Sequence, residues 1–214
     1  MSHKIIENIN LIENEIRLKN KESKIIAVSK TFSMENIKPL IDHGHIHFGE
    51  NKVQEAVDKW TEIKKQNFNL KLHLIGKLQT NKVKFAVKLF DFIHSLDSEK
   101  LAKKISEEQL KINKILKIFV QVNIGEENQK SGINKKDVPD FISFCRAINL
   151  DVIGLMCIPP VNEDVIKYFK EMNILNKRFG FSELSMGMSS DYIKAAQNSA
   201  TYLRIGSSIF GKRD

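Results

Sequence analysis

Several features of specialised proteins are missing from this 214-residue chain. No apolar run is long enough to span a bilayer, and the start, Met1-Ser2-His3-Lys4, leads into a helical pattern rather than a signal peptide. The chain has two cysteines, Cys145 and Cys157, and both lie in apolar segments, which is typical of reduced, buried thiols. We therefore expect a cytoplasmic protein that does not bind membranes.

Positive charge is in excess but is not concentrated anywhere. The chain has 34 Lys and Arg against 26 Asp and Glu, for a net charge of +8. Most of the extra lysines are scattered over predicted helix faces, and there is no dense basic block, interleaved aromatic pattern or known nucleic-acid motif. We expect no nucleic-acid partner; a solvated basic surface of this kind favours anionic ligands in general.

Strand and helix patterns alternate along the whole chain, without linkers or low-complexity segments. An amphipathic helix is predicted first, over residues 3–20, from isoleucines at helical spacing. Eight apolar strand segments then alternate with helices, and they cover residues 24–30, 45–50, 70–76, 90–96, 115–124, 150–158, 184–188 and 202–210.

Eight βα units of roughly 25 residues each match a closed parallel barrel. We therefore predict an α/β fold, with residues 1–214 forming a single (β/α)8 TIM-type barrel domain with an extra N-terminal helix. A doubly wound open sheet is the alternative. The regular count of eight units, and the lack of a glycine-rich phosphate motif after the first strand, count against it.

The first strand segment carries the residue on which the functional prediction is built. Its apolar run, residues 25–28, is typical of a buried parallel strand, and Lys30 leaves that strand at its carboxyl end. Active sites of barrels lie at this end of the strands. Partial burial there disfavours the ammonium form, so the Lys30 amine becomes a nucleophile for carbonyl groups. A strand-end lysine that merely extends to solvent is the alternative.

Two loops at the same end of the barrel have the chemistry to bind phosphate. The segment Ser185–Asp191 combines hydroxyl residues with glycine ahead of a helix, and Arg204–Arg213 does so after the last strand. Phosphate sites of barrels commonly use these two loops, and glycine lets backbone amides approach an anion closely. Either loop alone is a weak signal because Gly and Ser fill many turns. The two together predict a phosphate site.

An imine-forming lysine next to a phosphate site suggests pyridoxal 5′-phosphate (PLP) as the cofactor. Ordered motifs support this: AVSKT at 27–31, FGENKVQE at 48–55, HLIGKLQTNK at 73–82, IHSLDS at 93–98, VNI at 122–124 with residues 127–132, GLMCIP at 154–159, and the segments 185–191 and 204–213. With these motifs the chain resembles, over its whole length, the pyridoxal phosphate homeostasis proteins. Their fold is like the N-terminal barrel of alanine racemase.

The resemblance implies a role for each matching residue. It implies that Lys30 carries PLP as a Schiff base, that Asn51 lies beside the ring, and that Arg204 lies near the pyridine nitrogen. The phosphate would be held by a set of small residues, which are Ser189, Ser190, Gly206 and Ser207. An arginine cannot accept the proton that a carboxylate would keep on the ring nitrogen, so the ring would be a weaker electron sink. A phosphate contact, or an ion pair with a neighbouring carboxylate, remains an alternative for Arg204.

The functional prediction is a PLP carrier that acts in PLP homeostasis by storing, buffering or delivering the cofactor. Racemases that share this barrel add a C-terminal β-domain that supplies a catalytic tyrosine, whereas this chain ends four residues after Phe210. Since Lys30 serves only one face of a substrate, we expect no enzyme activity. A slow amino-acid racemase and a Schiff-base aldolase for sugar phosphates are the alternatives. Amino acids and apo PLP-dependent enzymes are expected partners of a monomer.

Three alternating histidines, His43, His45 and His47, have a spacing that occurs at metal sites. No nearby cysteine or second cluster completes such a site, and these residues begin a strand at the bottom of the barrel. We therefore predict a structural role and no metal.

For three further residues we expect an ordinary structural or solvated role, and for two of them a role at the cofactor is an alternative. His73 begins a predicted strand, so packing is its default role. His94 is predicted near the top of the fourth strand, where a role around the cofactor stays open. Lys130 lies in a loop on the mouth side, where lysines are usually solvated, and transient uptake of the cofactor is its alternative.

Overall fold

A computed structural model of the chain describes residues 2–127 and 129–211. Its strands are β1 (Lys24–Val28), β2 (His47–Glu50), β3 (Lys71–Leu74), β4 (Phe92–Leu96), β5 (Lys117–Asn123), β6 (Ile133–Asn134), β7 (Asp151–Met156), β8 (Glu183–Met188) and β9 (Tyr202–Ile205). Its α-helices are α1 (Ser2–Arg17), α2 (Met34–Asp42), α3 (Val53–Gln66), α4 (Val83–Leu89), α5 (Glu99–Lys111), α6 (Val138–Ala147), α7 (Val165–Arg178), α8 (Tyr192–Gln197) and α9 (Ser207–Phe210). Short 3₁₀ turns at Thr80–Lys82 and Lys135–Asp137 lead into α4 and α6.

Eight of these strands close into a parallel barrel. The sheet runs in the order β4-β3-β2-β1-β9-β8-β7-β5, and β4 also pairs with β5, which closes it. The predicted (β/α)8 TIM-type barrel is therefore confirmed. The two-residue β6, which the sequence pattern did not reveal, pairs with β5 at the end of the sheet order and stands outside the ring. In the part of the chain described, no helix combines the length and apolar character needed to cross a membrane.

The apolar core has two parts, as expected when helices wrap a barrel. A large cluster lies between the strands and the helices, and it includes the four isoleucines of α1 at positions 5, 9, 12 and 16. The extra N-terminal helix is thus part of the core, and its Asn8 side chain also donates a hydrogen bond to the Ile209 carbonyl at 2.9 Å. A smaller cluster fills the barrel interior and consists of Ile26, Phe119, Met156 and Tyr202.

Two local predictions at the barrel mouth are wrong. The last strand ends at Ile205, and Ser207–Phe210 form α9 instead of continuing it. The apolar residue Ile209, which suggested a strand, is buried on the helix, and the Phe210 N–H donates to the Gly206 carbonyl at 2.9 Å. Asn51 comes just before the helical pattern that begins at Val53, a position and residue type that predict an N-cap, but Lys52 occupies the N-cap position without a side-chain bond. Lys52 is extended, with φ −121° and ψ 128°. Gly76 packs so closely on the Asn51 backbone that a Cβ atom would lie 2.4 Å from the Asn51 carbonyl oxygen.

Candidate functional site

A cleft of about 670 Å³ opens at the carboxyl ends of the barrel strands. Apolar walls are provided by Val28, Ile75, Ile158 and Met188. Clefts with apolar walls and a few polar groups are the usual form of small-molecule sites. The cleft brings together all seven residues proposed from the sequence, which are Lys30, Asn51, Ser189, Ser190, Arg204, Gly206 and Ser207. The role of each residue in binding remains a prediction.

One end of the cleft is rich in hydrogen-bond donors. The Ser189 hydroxyl oxygen accepts from the backbone N–H groups of Gly206 at 3.2 Å and Ser208 at 3.4 Å. Asp191 fixes this loop, because its carboxylate accepts from the Met188 N–H at 2.6 Å. Backbone amides and hydroxyls converge here, and a bound anion would replace the Ser189 oxygen as the acceptor of the two N–H groups. This end of the cleft is therefore chemically suited to phosphate.

The backbone on both sides of Lys30 is held by side chains of α3. Lys59 Nζ donates to the Ser29 carbonyl at 3.0 Å, and Glu55 Oε1 accepts from the Thr31 N–H at 2.7 Å. Thr31 has a φ of 69°, a left-handed conformation that is unfavourable for a β-branched residue. Such a conformation persists where surrounding contacts enforce it. These contacts therefore fix the direction in which Lys30 leaves β1.

A buried carboxylate, Glu50, ties these contacts together. Its Oε1 accepts from Ser29 Oγ at 2.7 Å, Lys59 Nζ at 3.0 Å and Trp60 Nε1 at 2.9 Å. Lys59 Nζ also lies 3.1 Å from Glu55 Oε1, so that one ammonium bridges two carboxylates. We call Glu50, Glu55, Lys59 and Trp60 the lysine clamp.

The clamp also keeps Glu55 charged. Burial opposes its ionisation, but the Thr31 N–H and Lys59 outweigh this and hold the pKa of Glu55 below its ordinary value. The sequence interpretation missed the clamp, although Glu55 and Lys59 are four residues apart on one predicted helix, the usual spacing of an ion pair.

Arg204 is buried below the lysine, with 4% of its surface exposed. Its Nη1 donates to Ser185 Oγ at 2.7 Å and its Nη2 to the Cys157 carbonyl at 2.8 Å. Both partners are neutral, and the described residues provide no ion pair for it. Burial lowers the pKa of Arg204, yet a guanidinium stays protonated in proteins. An ion pair with a neighbouring carboxylate, one alternative from the sequence, is therefore not what holds Arg204 in place.

Other candidates from the sequence lie outside the cleft. His94 was expected near the top of β4, but it is in the middle of that strand, completely buried, and reaches Arg204 only through Ser185. Lys130 pairs with Glu127 at 2.6 Å. Among the described residues, no group of three or more His, Cys, Asp or Glu side chains is arranged to hold a metal ion.

The Cys157 thiol and the three phenols are also unsuited to act as bases in the cleft. Burial raises the pKa of Cys157 to about 12, so this thiol stays protonated at neutral pH. The phenol of Tyr168 donates to Glu163 and that of Tyr192 to Glu15, while Tyr202 lies 3.5 Å from Lys24 Nζ at the base of the barrel.

The chain matches the profile of the family described as "Alanine racemase, N-terminal domain" over residues 2–214. It is 34% identical over 221 residues to the pyridoxal phosphate homeostasis protein of Pasteurella multocida (strain Pm70), covering 98% of this chain and 95% of that protein. The chain belongs to the pyridoxal phosphate homeostasis protein family. A second relative in this family, from Aquifex aeolicus (strain VF5), is 36% identical over 201 residues, covering 89% and 87% of the two chains.

Solved structures of similar proteins agree with the family assignment. PipY of Synechococcus elongatus PCC7942, solved with PLP bound, superposes with a TM-score of 0.88 at 30% identity and covers 97% of this chain and 100% of its own. Alanine racemase of Clostridium difficile 630 gives a TM-score of 0.76 at 16% identity over 57% of its own length, which shows a shared barrel fold only.

Proposed function

We propose that this protein binds PLP as a Schiff base on Lys30 and stores, buffers or delivers the cofactor, and so influences amino-acid metabolism. The observation that carries the proposal is the set of polar groups in the cleft. They are one lysine amine, one buried arginine with no ion pair among the described residues, and a group of hydroxyls and amides suited to an anion. The family name of the relatives and the PLP-bound PipY support it.

The groups in the cleft fit the chemistry of PLP. When bound, PLP supplies an aldehyde carbon and an electron-accepting ring. The Lys30 amine would condense with that aldehyde and release one water molecule. Ser189, Ser190, Gly206 and Ser207 would donate hydrogen bonds to the phosphate from the donor-rich end of the cleft.

Asn51 and Arg204 would contact the ring itself. Asn51 lines the cleft beside Lys30 and would lie against the ring. Arg204 would donate a hydrogen bond to the pyridine nitrogen, which must then be unprotonated because a guanidinium has no acceptor atom. A ring in that state withdraws electrons weakly, which suits a protein that holds PLP better than one that forms carbanions.

The lining of the cleft favours a carrier over a racemase. Racemisation needs proton transfer on both faces of the substrate. In the described lining, Lys30 and Arg204 are the titratable side chains, and Arg204 is a permanent donor. All three tyrosines of the chain have their phenols bound away from the cleft. The described part of the site thus offers one acid–base group where a racemase needs two.

Borohydride trapping tests the covalent attachment. We expect the purified protein incubated with PLP to show an imine absorption band, and peptide mapping after reduction to find the pyridoxyl group on Lys30. Lys30→Ala should abolish the band and leave the circular dichroism spectrum unchanged, because Lys30 is a loop residue rather than part of the core. Lys130→Ala is the matched control and should keep the band. A pyridoxyl group mainly on Lys77, Lys82 or Lys130 would overturn the assignment.

Deuterium exchange separates the carrier from the racemase. The PLP-loaded protein is incubated in heavy water with alanine, serine or other amino acids, and mass spectrometry follows the α-proton while chiral analysis follows configuration. We expect negligible exchange, together with transfer of PLP to an apo-enzyme faster than from dilute free PLP. Sustained exchange at about 1 s⁻¹, an ordinary enzymatic rate, would favour the racemase.

The proposal extends to the setting of the protein. We propose a cytoplasmic monomer whose partners are amino acids and apo PLP-dependent enzymes. The two free, buried cysteines agree with a reducing compartment.

A further inference from the structure

A chain of side chains runs through the barrel interior below Arg204. Ser185 Oγ, which accepts from Arg204, lies 2.9 Å from His94 Nδ1. His94 Nε2 lies 2.9 Å from His73 Nδ1, and His73 Nε2 lies 2.9 Å from His47 Nδ1. His47 lines a separate cavity at the base of the barrel. We call Ser185, His94, His73 and His47 the histidine chain.

The stagger of the barrel strands creates this arrangement. His73 pairs with Gly49, two residues beyond His47 on β2, and it also pairs with Phe92, two residues before His94 on β4. Residues two apart on a strand point to the same face, so all three imidazoles project into the barrel. Their ring centres lie 5.2 Å apart for His47 and His73 and 5.1 Å apart for His73 and His94. Phe92 stacks on His73 at 4.1 Å between ring centres, and Phe119 stacks on His94 at 4.3 Å.

The donors and acceptors along the histidine chain allow only one direction for its hydrogen bonds. Arg204 has donors only, so the Ser185 oxygen accepts from it. Among the described residues, only His94 Nδ1 is in place to accept the Ser185 hydroxyl hydrogen. His94 must then carry its proton on Nε2 and donate it to His73 Nδ1. By the same rule His73 donates from Nε2 to His47 Nδ1.

This direction requires neutral imidazoles, each with one N–H and one acceptor nitrogen. Burial lowers the pKa of His47 to about 4. The pKa values of His73 and His94 are held well below the ordinary value, first by complete burial and then by positive neighbours, with Arg204 acting on His94. All three rings are therefore neutral at physiological pH.

We propose that Ser185, His94 and His73 are positioning residues for Arg204. The directed chain leaves the Ser185 lone pairs for the guanidinium, while the Cys157 carbonyl holds its other terminal nitrogen. Neither anchor is charged, so the positive charge of Arg204 and its remaining N–H groups are available to a ligand in the cleft. The ligand atom that they fit is an acceptor without a proton, such as an unprotonated ring nitrogen or an anionic oxygen. The application to PLP rests on the proposed function, whereas the direction of the chain does not.

The direction is tested in the protein without any ligand. Two-bond ¹H–¹⁵N correlation spectra of ¹⁵N-histidine-labelled protein at pH 7.5 distinguish the two neutral tautomers. We expect His47, His73 and His94 all to be protonated on Nε2. An Nδ1–H tautomer on His94, or averaged signals from it, would overturn the proposal whether or not the protein binds PLP.

The effect on Arg204 is tested with variants of two neighbouring links. In Ser185→Ala and His94→Leu, we expect the Arg204 Nε–H to exchange with solvent faster and the dissociation constant for PLP to rise about tenfold, which corresponds to about 1.4 kcal/mol. His94→Asn keeps an acceptor near the position of Nδ1 and should restore most of the affinity. His43 lies outside the histidine chain, so His43→Gln is the control and should behave as the parent protein.

The outcomes of the two tests separate the two proposals. Unchanged exchange at Arg204 in folded Ser185→Ala and His94→Leu would overturn the positioning role. Equal losses in His94→Leu and His94→Asn would do the same, because they would indicate a packing effect. If the parent protein does not bind PLP but its tautomers and the Arg204 exchange behave as expected, the proposed function fails and the positioning role stands.

Discussion

Replacing Lys59 by methionine removes the ammonium group that bridges Glu50 and Glu55 in the lysine clamp. The side chain of Lys59 is 11% exposed and that of Glu50 is fully buried, so the variant leaves a buried carboxylate without its cation. Breaking a buried ion pair from one side typically costs about 3–5 kcal/mol. For a chain of this length, each kcal/mol lowers the melting temperature by about 2–4 °C, which gives a fall of roughly 6–20 °C.

Urea unfolding followed by circular dichroism measures this loss. We expect a lower midpoint with an unchanged slope, which indicates a change in stability without a change in the surface exposed on unfolding. Lys38→Met is the matched control, because Lys38 pairs with Asp42 at 3.2 Å across an exposed helical turn and such pairs contribute about 0.3–0.5 kcal/mol. The double variant Lys59→Met with Glu50→Gln should recover part of the loss, since it removes the unpaired charge. A loss below about 1 kcal/mol in Lys59→Met would refute the reasoning.

Two further predictions concern pH and the donor-rich end of the cleft. The pKa of both His45 and His47 is lowered to about 4, so the unfolded state binds more protons than the folded state between pH 6.5 and pH 4. The stability that is present above pH 6.5 should therefore be lost as the pH falls towards 4, by at most about 3 kcal/mol per histidine. A free energy of unfolding, measured with urea, that stays constant over this range would contradict the prediction. Gly206→Asp or Ser207→Asp should weaken PLP retention far more than it lowers stability, because a carboxylate repels phosphate at close range. If a folded variant binds PLP as tightly as the parent protein in equilibrium dialysis, the β9–α9 loop is not the phosphate site.

The barrel was predictable from the sequence because each unit carries its own local signal. Buried parallel strands are nearly continuous apolar runs, and the helices between them show helical periodicity. The errors fall where local pattern and tertiary packing compete. Ile209 has the same apolar character on a strand as on a helix, and only its burial between the barrel and α1 decides between them.

The site was predictable in part, for the same reason. Lys30, Ser189 and Arg204 lie at or near strand ends, and a barrel gathers strand ends at its mouth whatever the details of packing. The lysine clamp depends instead on the packing of α3 against β1 and β2, and the histidine chain depends on register between strands. The local sequence around His47 or His94 does not predict that His73 on β3 lies between them. This placement follows from the stagger of the strands in the closed barrel.

The lysine clamp and the histidine chain stabilise the two parts of the cleft on which the proposed function depends, which are the surroundings of Lys30 and of Arg204. Arg204 pairs with Ile26 on β1, and Lys30 follows four residues later, so the Lys30 backbone lies nearer the rim than that of Arg204. The lysine clamp fixes the backbone on both sides of Lys30 from α3, outside the barrel, while the histidine chain holds the Arg204 guanidinium from the barrel interior. An elongated ligand with a carbonyl group at one point and a proton-free acceptor at another therefore meets a lysine whose backbone is fixed and an arginine whose side chain is held. This part of the ordering cost is met during folding rather than on binding. Under the proposed function, this preorganisation favours retention of the cofactor, while a neutral ring nitrogen and a single acid–base group limit what is done with it.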